Sequence, residues 1–437
     1  MFASKGEFFF TQMQPPYDAV REQRGLKNGP ISSEVCKKFL HIENIIHRIS
    51  PLFNVQQIRL PALESIDLFK RSIGETSDIV TKEMYSFEDR NNDVLCMIPE
   101  GTASCVRLAL ENNLIYDRGS KKQRLYYIAP MFRHERPQKG RYRQFTQFGA
   151  EFFGNSSYTD DIDILLLTTK IFEKLDLLDI ELTINTIGSD VDRKKYSQEL
   201  ATYLNSHSDE LSDTQRNTLR KNPMRLLDSK DPKLKSIIIS APLISDFLNK
   251  ESQANFDSIK ERLERLKIPY IHDPKLVRGL DYYNDLVFEW KSNKLGSQDA
   301  VCAGGRYDNL SKTIGNKIVP SVGFAMGLDR IVELMEYESN ALIIGLAVIT
   351  NSNDESYEIL NSLRNIDYTY NLIQMDNDKS LSKQIKQADK SNCDILIIVG
   401  NDEISNNTFT VKYLKCDRKD QNIPFEQLID LITGYKK

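Results

Sequence analysis

Five cations crowd one short stretch of this chain. Phe132-Arg-His-Glu-Arg136 is followed closely by Lys139, Arg141 and Arg143. Like charges repel, so folding alone gives no reason to gather them. An anionic ligand does, and arginine suits bidentate contact with phosphate. The plain alternative is a basic surface loop. Immediately downstream, Gln144-Phe-Thr-Gln-Phe-Gly-Ala-Glu-Phe-Phe153 has the composition of a strand. Side chains alternate in a strand, so Phe145, Gln147, Gly149, Glu151 and Phe153 share one face. Thr146, Phe148, Ala150 and Phe152 share the other, which is mostly apolar and belongs against a core. On the first face Glu151 can pair with an ammonium group and Phe145 can stack on a flat ring. Gly149 between them leaves room for a ligand to approach the backbone.

Three further segments carry residues suited to chemistry. Ile98-Pro-Glu-Gly-Thr102 precedes a helix-favouring stretch, and its local reading is a helix start with Thr102 as the cap. Leu276-Val-Arg-Gly-Leu-Asp-Tyr-Tyr283 offers one cation, Arg278, then Gly279 for close approach, then paired tyrosines whose hydroxyls can hydrogen-bond an imidazole. Core packing is the competing reading for the tyrosines. Val322-Gly-Phe-Ala-Met-Gly-Leu-Asp-Arg330 is a glycine-bearing strand entering a helix, with Arg330 early in that helix and off its apolar face. Ala303-Gly-Gly-Arg-Tyr-Asp308 precedes it.

Phe-Arg-His-Glu-Arg-Pro-Gln-Lys-Gly-Arg-Tyr-Arg-Gln-Phe (132–145) resembles motif 2 of histidyl-tRNA synthetases, which are class II aminoacyl-tRNA synthetases. The segments 98–102, 276–283 and 322–330 resemble further signatures of the same family. The resemblance implies histidine activation by ATP and transfer to tRNA. It assigns Arg133 to the ATP α-phosphate and the substrate carboxylate, Glu135 to the adenine amino group, Arg141 to the γ-phosphate and Phe145 to stacking on adenine. Arg330 would clamp the phosphates. Arg278 would sit on the α-phosphate, which makes Arg278 and Arg133 the catalytic pair. Histidine would be held by Glu100, Thr102, Arg133, Gln147, Glu151, Arg278, Tyr282 and Tyr283. Arg136, Gln138 and Lys139 would approach the tRNA acceptor end. Three positions depart from the family's pattern: Ile98 and Thr146 stand where arginine and histidine are usual, and Asn28 ends an Arg24-Gly-Leu-Lys-Asn28 stretch that usually ends in aspartate.

Several elements must position these residues. Residues 31–50 read as a helix, with Val35, Phe39, Ile42, Ile46 and Ile49 at steps of three and four. An extended segment, 55–61, follows. By resemblance these two form motif 1, which builds the family's homodimer interface. Leu125 to Gly154 reads as an antiparallel hairpin with a long basic loop. The stretch 189–274 is polar, charge-alternating and helix-favouring, and reads as an inserted helical module. Strand-like sequence returns at 282–290 and 322–326. From Ala341 strands (342–349, 369–375, 394–399, 408–414) alternate with helices (355–364, 381–388, 425–432), which describes a separate small α/β domain.

The expected fold is therefore α/β overall. An antiparallel-sheet class II core (1–188 with 275–337, an α+β catalytic domain) carries a helical insertion (189–274). A C-terminal α/β domain (341–437) resembles the family's anticodon-binding domain. The chain has 437 residues, net charge −4, and 27% charged residues, so any RNA site is a local basic patch and not a global field. Residues 340–437 hold 11 Lys/Arg against 14 Asp/Glu, and Lys383, Lys386 and Lys390 are their best local patch. Six cysteines without a C-x-x-C pair exclude the usual zinc spacing and point to reduced thiols.

No apolar run approaches the roughly 20 residues that span a bilayer. The start of the chain, with Lys5, Glu7 and a three-residue Phe run, does not read as a secretory signal. A soluble, cytoplasmic homodimer with no membrane partner is expected. Its substrates would be L-histidine, tRNA(His) and ATP, with Mg2+ arriving on ATP and no tightly bound protein-ligated metal. The alternative function is a catalytically silent, synthetase-like regulatory module that senses histidine or uncharged tRNA. Such relatives commonly lose the phosphate-binding arginines, and Arg133, Arg141, Arg278 and Arg330 are all present here.

Overall fold

A computed structural model describes residues 33–74, 77–115, 122–135, 140–229, 231–296, 299–336, 342–349, 353–366 and 370–435. The chain divides into two compact units, Met1–Glu336 and Tyr337–Lys437. Arg24, Asn28, Arg136, Gln138 and Lys139 lie outside the described residues.

The first unit opens with the helix Ser33–Ile49. Ile42 and Ile46 on its apolar face are fully buried. Only Gln56–Gln57 (β1) of the expected extended segment pairs, in parallel with the later strand β5. A small antiparallel sheet follows, made of Leu63–Ser65 (β2), Ser86–Glu88 (β3) and Val94–Met97 (β4) in the order β2-β4-β3. The central sheet continues with Gln123–Phe132 (β5), Gln144–Phe153 (β6), Glu181–Thr186 (β7), Ile271–His272 (β8), Asn284–Lys291 (β9), Ala300–Arg306 (β10) and Ser321–Gly327 (β11). Its order is β1-β5-β6-β11-β10-β9-β7-β8, antiparallel except at its two edge pairs.

Both faces of this sheet are covered. On one, Phe148 and Phe324 meet edge to face, with ring centroids 5.3 Å apart, and Tyr126 meets Phe148 at 6.0 Å. The helix Thr159–Lys174 packs over this side. On the other, Tyr127, Met131, Phe153 and Val287 join one buried cluster with Val106 and Ala109 of the helix Thr102–Glu111. Residues 190–265 hold the helices Asp190–Asn205, Asp213–Lys221, Pro232–Ile239 and Lys250–Arg265. Tyr196, Leu200 and Leu204 from the first of these bury into that same cluster, so this side of the sheet, which carries Glu151, is roofed partly by the helical segment.

Strand β10 is anchored by one buried ion pair. Arg306 donates to both oxygens of Asp161 on the helix Thr159–Lys174, and to the carbonyls of Asn155 (3.0 Å) and Ser157 (3.2 Å). Asp308 accepts from the same guanidinium at 3.2 Å.

The second unit is a five-stranded sheet in the order β13-β12-β14-β15-β16. Its strands are Leu342–Ile349 (β12), Tyr370–Gln374 (β13), Ile395–Gly400 (β14), Thr408–Tyr413 (β15) and Gln421–Pro424 (β16). Strands β12, β13 and β14 run parallel, and the near-continuous apolar sequence of β12 and β14 fits burial on both faces. The strand β16 and the short helix Asn401–Asn406 are additions to the expected pattern, both polar and short.

Removing one partner of a buried pair strands the other charge. Arg306→Ala is expected to lower the unfolding free energy of the first unit by about 3–5 kcal/mol in urea titration. A loss under about 1 kcal/mol would show that the pair does not anchor β10.

Candidate active site

The hairpin β5–β6 sets the floor of the site. Its register pairs Met131 with Phe145, Ala129 with Gln147, Tyr127 with Gly149 and Leu125 with Glu151. Phe145, Gln147 and Glu151 therefore line up on one face, as alternation requires. The space above Gly149 is not open to a ligand, contrary to the expectation from sequence. The ring of Tyr127 fills it, and a Cβ at Gly149 or at Gly101 would collide with that ring. The two glycines make room for a side chain of the protein itself.

Tyr127 is there to meet Glu151. Its hydroxyl donates to Glu151 Oε1 at 3.3 Å, and Thr102 donates to the same oxygen at 2.7 Å. Tyr307 donates to Oε2. Glu151 is fully buried. Burial pushes its carboxyl up to about 8, further than these hydrogen bonds pull it down, and Glu100 nearby adds to the rise. The carboxyl is thus protonated near neutrality, and a cation placed against it would favour its ionised form.

Thr102 is not the helix cap. Glu100 takes that place: its two carboxylate oxygens accept from the backbone N–H groups of Thr102 (2.8 Å) and Ala103 (2.9 Å). A carboxylate at a helix start is favoured by the orphan N–H groups there. The Thr102 hydroxyl is left to serve Glu151. Glu100 is buried, and burial raises its pKa against the pull of these N–H groups and of Arg133.

Four arginines from distant segments gather beside this cluster. Arg133, at the end of β5, donates through Nε to the Pro99 carbonyl at 2.7 Å and lies over the Phe145 ring, 5.4 Å from its centroid. Arg141 is paired with Glu135, one bond measuring 2.7 Å. Arg278 is paired with Glu289 on β9. Arg330, on the helix Leu328–Leu334, donates to the carbonyls of Gly140 (3.0 Å) and Ala300. Burial lowers the pKa of Arg133, and Arg278 lowers it further. Burial also lowers those of Arg141 and Arg330; Arg133 adds to the fall at both, and Arg141 adds to it at Arg330. These mutual effects place all four guanidinium groups within electrostatic reach in one chain. Arg278 differs in sign. Burial pulls it down most strongly, yet Glu289, Tyr283, Asp228 and Tyr282 together carry it up.

Two buried polar atoms here have no hydrogen-bond partner among the described residues: Gln147 Oε1 and Arg278 Nε. Such atoms are costly unless a ligand or water meets them. Around them Tyr282, Tyr283 and Tyr307 pack ring to ring, with centroids 4.7 Å (282–283) and 5.6 Å (282–307) apart. A Cβ at Gly279 would meet nothing within 4 Å.

The family's usual arginine and histidine positions are also placed. Ile98 is fully buried in the core cluster. Thr146 is half-buried, and its N–H donates to Asp329 at 2.6 Å, which ties β6 to the helix bearing Arg330. Reading the sequence missed Tyr127, Tyr307 and Glu289 as members of the site. Tyr307 sits inside the flagged segment 303–308, whereas Tyr127 and Glu289 needed the strand register. Among the described residues no group of three or more His, Cys, Asp or Glu could hold a metal ion. No helix among them is long and apolar enough to cross a membrane.

Comparison with known proteins agrees with this arrangement. Residues 37–331 match the family model for histidyl-tRNA synthetase, and residues 345–435 match that of the anticodon binding domain. The chain is 42% identical over 390 residues to a histidine–tRNA ligase of Hydrogenovibrio crunogenus, covering 87% of this chain and 90% of that protein. It superposes on the crystal structure of apo S. aureus histidyl-tRNA synthetase with a TM-score of 0.75 at 30% identity, covering 93% of this chain and 98% of that one. A Bacillus halodurans structure described as an ATP phosphoribosyltransferase regulatory subunit/histidyl-tRNA synthetase has a TM-score of 0.61 at 21% identity, over 86% and 97% of the two chains, and shares the fold alone. The fold and the sequence together define an aminoacyl-tRNA synthetase. Within that class, the chain belongs to the histidyl-tRNA synthetase family.

The raised carboxyl of Glu151 makes a signed prediction. Its folded pKa, about 8, lies above the ordinary 4.5. The folded protein then holds a proton that the unfolded chain releases. The stability Glu151 contributes is full below about 4.5 and is lost as pH rises through 8. Unfolding of the ligand-free protein across pH 5–9 should show wild type losing stability relative to Glu151→Gln as pH rises, by on the order of a few kcal/mol. A difference that stays constant with pH would mean Glu151 ionises normally.

Proposed function

We propose that this chain ligates L-histidine to tRNA(His) in two ATP-dependent steps at the site just described. In the first, an oxygen of the histidine carboxylate attacks the α-phosphorus of ATP in line. The α–β phosphoanhydride bond breaks, pyrophosphate leaves, and histidyl-adenylate remains. In the second, the terminal ribose hydroxyl of the tRNA attacks the histidyl carbonyl, loses its proton, and AMP departs.

The observation that carries this reading is the convergence of Arg133, Arg141, Arg278 and Arg330 beside a buried carboxylate. A triphosphate relieves the repulsion among the four. Arg133 and Arg278 act at the reacting α-phosphate, where positive charge stabilises the transition state as pyrophosphate leaves. Arg141 and Arg330 hold the outer phosphates. Phe145 stacks on adenine, and Glu135, once Arg141 turns to phosphate, accepts from its amino group. Glu151, with Thr102, receives the α-ammonium of histidine and ionises as it does so. Gln147, Glu100, Tyr282 and Tyr283 complete the histidine pocket. The polar atoms of Gln147, Tyr282 and Tyr283 go unpaired with an amino acid that lacks the imidazole donors and acceptors, which is the basis of strong rejection. Holding the reactants in line contributes roughly 7–11 kcal/mol through proximity. Mg2+ arrives with ATP, bound through phosphates and water.

The catalytic domain in this reading is 1–188 with 275–337, carrying the helical insertion 189–274. Arg136, Gln138 and Lys139 approach the acceptor end of the tRNA. The second unit binds the anticodon region, with exposed Lys383, Lys386 and Lys390 on the helix Leu381–Lys390 as its first phosphate contacts. The protein works as a cytoplasmic homodimer. Exposed Leu40 and Leu52, on the segment that resembles motif 1, support that surface.

Pyrophosphate exchange tests the reading. Histidine alone, among a panel of amino acids, should drive exchange of pyrophosphate into ATP. Arg278→Ala should reduce that exchange by about 10²–10³-fold or more while keeping the wild-type unfolding midpoint. Exchange driven equally by other amino acids, or an Arg278→Ala variant as active as wild type, would refute it.

A further inference from the structure

The segment 276–283, which bears Arg278 and the paired tyrosines, is held from outside by the helical segment. Arg193, on the helix Asp190–Asn205, donates to the carbonyls of Tyr283 and Asp281, the second at 3.1 Å. The Asp281 carboxylate accepts from Asn222 Nδ2 at 2.9 Å on one oxygen and from Arg225 at 2.9 Å on the other. Asn222 caps the short helical turn Pro223–Asp228 and Arg225 lies within it. The turn after the helix Ile66–Ile73 closes on the same carboxylate. Gly74 stands there at φ +95, and a Cβ on it would come within 2.6 Å of Asp281 Oδ2.

Leu276, Val277 and Tyr283 of the loop join the core cluster and Leu280 and Tyr282 pack against it, whereas Asp281 between them faces polar groups. A cavity of about 450 Å³ opens there, and Lys194, Lys221 and Arg71 lie in its wall with Arg193 and Arg225. A Cβ added at Gly279 would meet nothing within 4 Å among the described residues. Polar bonds to Asp281 and the two carbonyls therefore act beside this packing to fix where this part of the loop lies. Tyr282 and Tyr283 follow Asp281 directly, so a shift of Asp281 moves the paired tyrosines, whereas Arg278, three residues earlier, is held by its own pair with Glu289.

We propose that Asp281 is a positioning residue for the amino-acid pocket, and that Asn222, Arg225 and Arg193 are the anchors through which the helical segment sets the affinity for histidine. The inference rests on the function proposed above. It assigns to the helical segment a part in amino-acid binding that operates before any tRNA is present.

The test is tRNA-free pyrophosphate exchange by the full-length protein, titrated separately in histidine and in ATP. Asp281→Ala and Asn222→Ala should each raise KM for histidine about tenfold, the effect of one charge-assisted hydrogen bond. KM for ATP should change less than about twofold by the same measure, because Arg278 is held separately by Glu289. The double variant Asn222→Asp with Asp281→Asn reverses the donor and the acceptor of that bond, and should return KM for histidine to within about threefold of wild type. An unchanged histidine KM in both single variants overturns the proposal. So does an equal rise in both KM values, or a double variant no better than the worse single one. If Asp281→Ala does not fold, Asn222→Ala and the double variant decide alone. Wild-type protein without histidine-dependent exchange would instead overturn the function on which the inference rests.

Discussion

Four like charges share one buried neighbourhood in this protein, and the rest of the first unit is arranged to make that tolerable. Guanidinium groups brought together away from water repel, and burial takes away the solvent that would screen them. Each therefore has its own acceptor. Arg133 has the Pro99 carbonyl, Arg141 has Glu135, Arg278 has Glu289, and Arg330 has the carbonyls of Gly140 and Ala300. Two of these acceptors are carboxylates and the others are main-chain oxygens. The distinction matters. A carbonyl can stay in place when phosphate arrives, whereas Glu135 and Glu289 must share or release their arginines. The pairs of Arg141 with Glu135 and of Arg278 with Glu289 are thus the two that a bound polyanion would have to rearrange.

The carboxylate side of the site obeys the opposite logic. Glu151 is surrounded by three hydroxyls, those of Thr102, Tyr127 and Tyr307, and by no cation among its hydrogen-bond partners. Burial without a paired charge leaves it neutral at ordinary pH. The guanidinium groups are charged and crowded, while the buried acid Glu151 is held uncharged. That arrangement suits a zwitterionic amino acid, with arginines available to a carboxylate and Glu151 to an ammonium group.

Much of this was legible in the sequence, and the limits have physical causes. Period-two alternation assigned Phe145, Gln147 and Glu151 to one face because the side-chain period of a strand is fixed by its pleat. The strands 342–349 and 394–399, alternating with helices, marked a separate small α/β domain. Failures began wherever the answer depended on register or on a partner far along the chain. Gly149 was read as space for a ligand, and only the pairing of Tyr127 opposite it shows which side chain claims that space. Thr102 was read as a helix cap, but Glu100 two residues earlier competes better for the same N–H groups. Glu289 is unremarkable in its strand until the loop at 278 folds back beside it. The arginines themselves stood out because clustered charge is improbable without a ligand, while their four acceptors did not.

The account stands or falls on one triphosphate being shared by Arg133, Arg141, Arg278 and Arg330. The most direct measurement is the unfolding midpoint of wild type and of the four single Arg→Gln variants, each with and without saturating Mg-ATP. A ligand that binds only the folded state stabilises it by RT ln(1 + [L]/Kd), about 2.7 kcal/mol at a hundredfold excess over Kd. Wild type should show that rise, and every one of the four variants should lose most of it. A variant that keeps the full rise would place its arginine outside the nucleotide site and contradict the account.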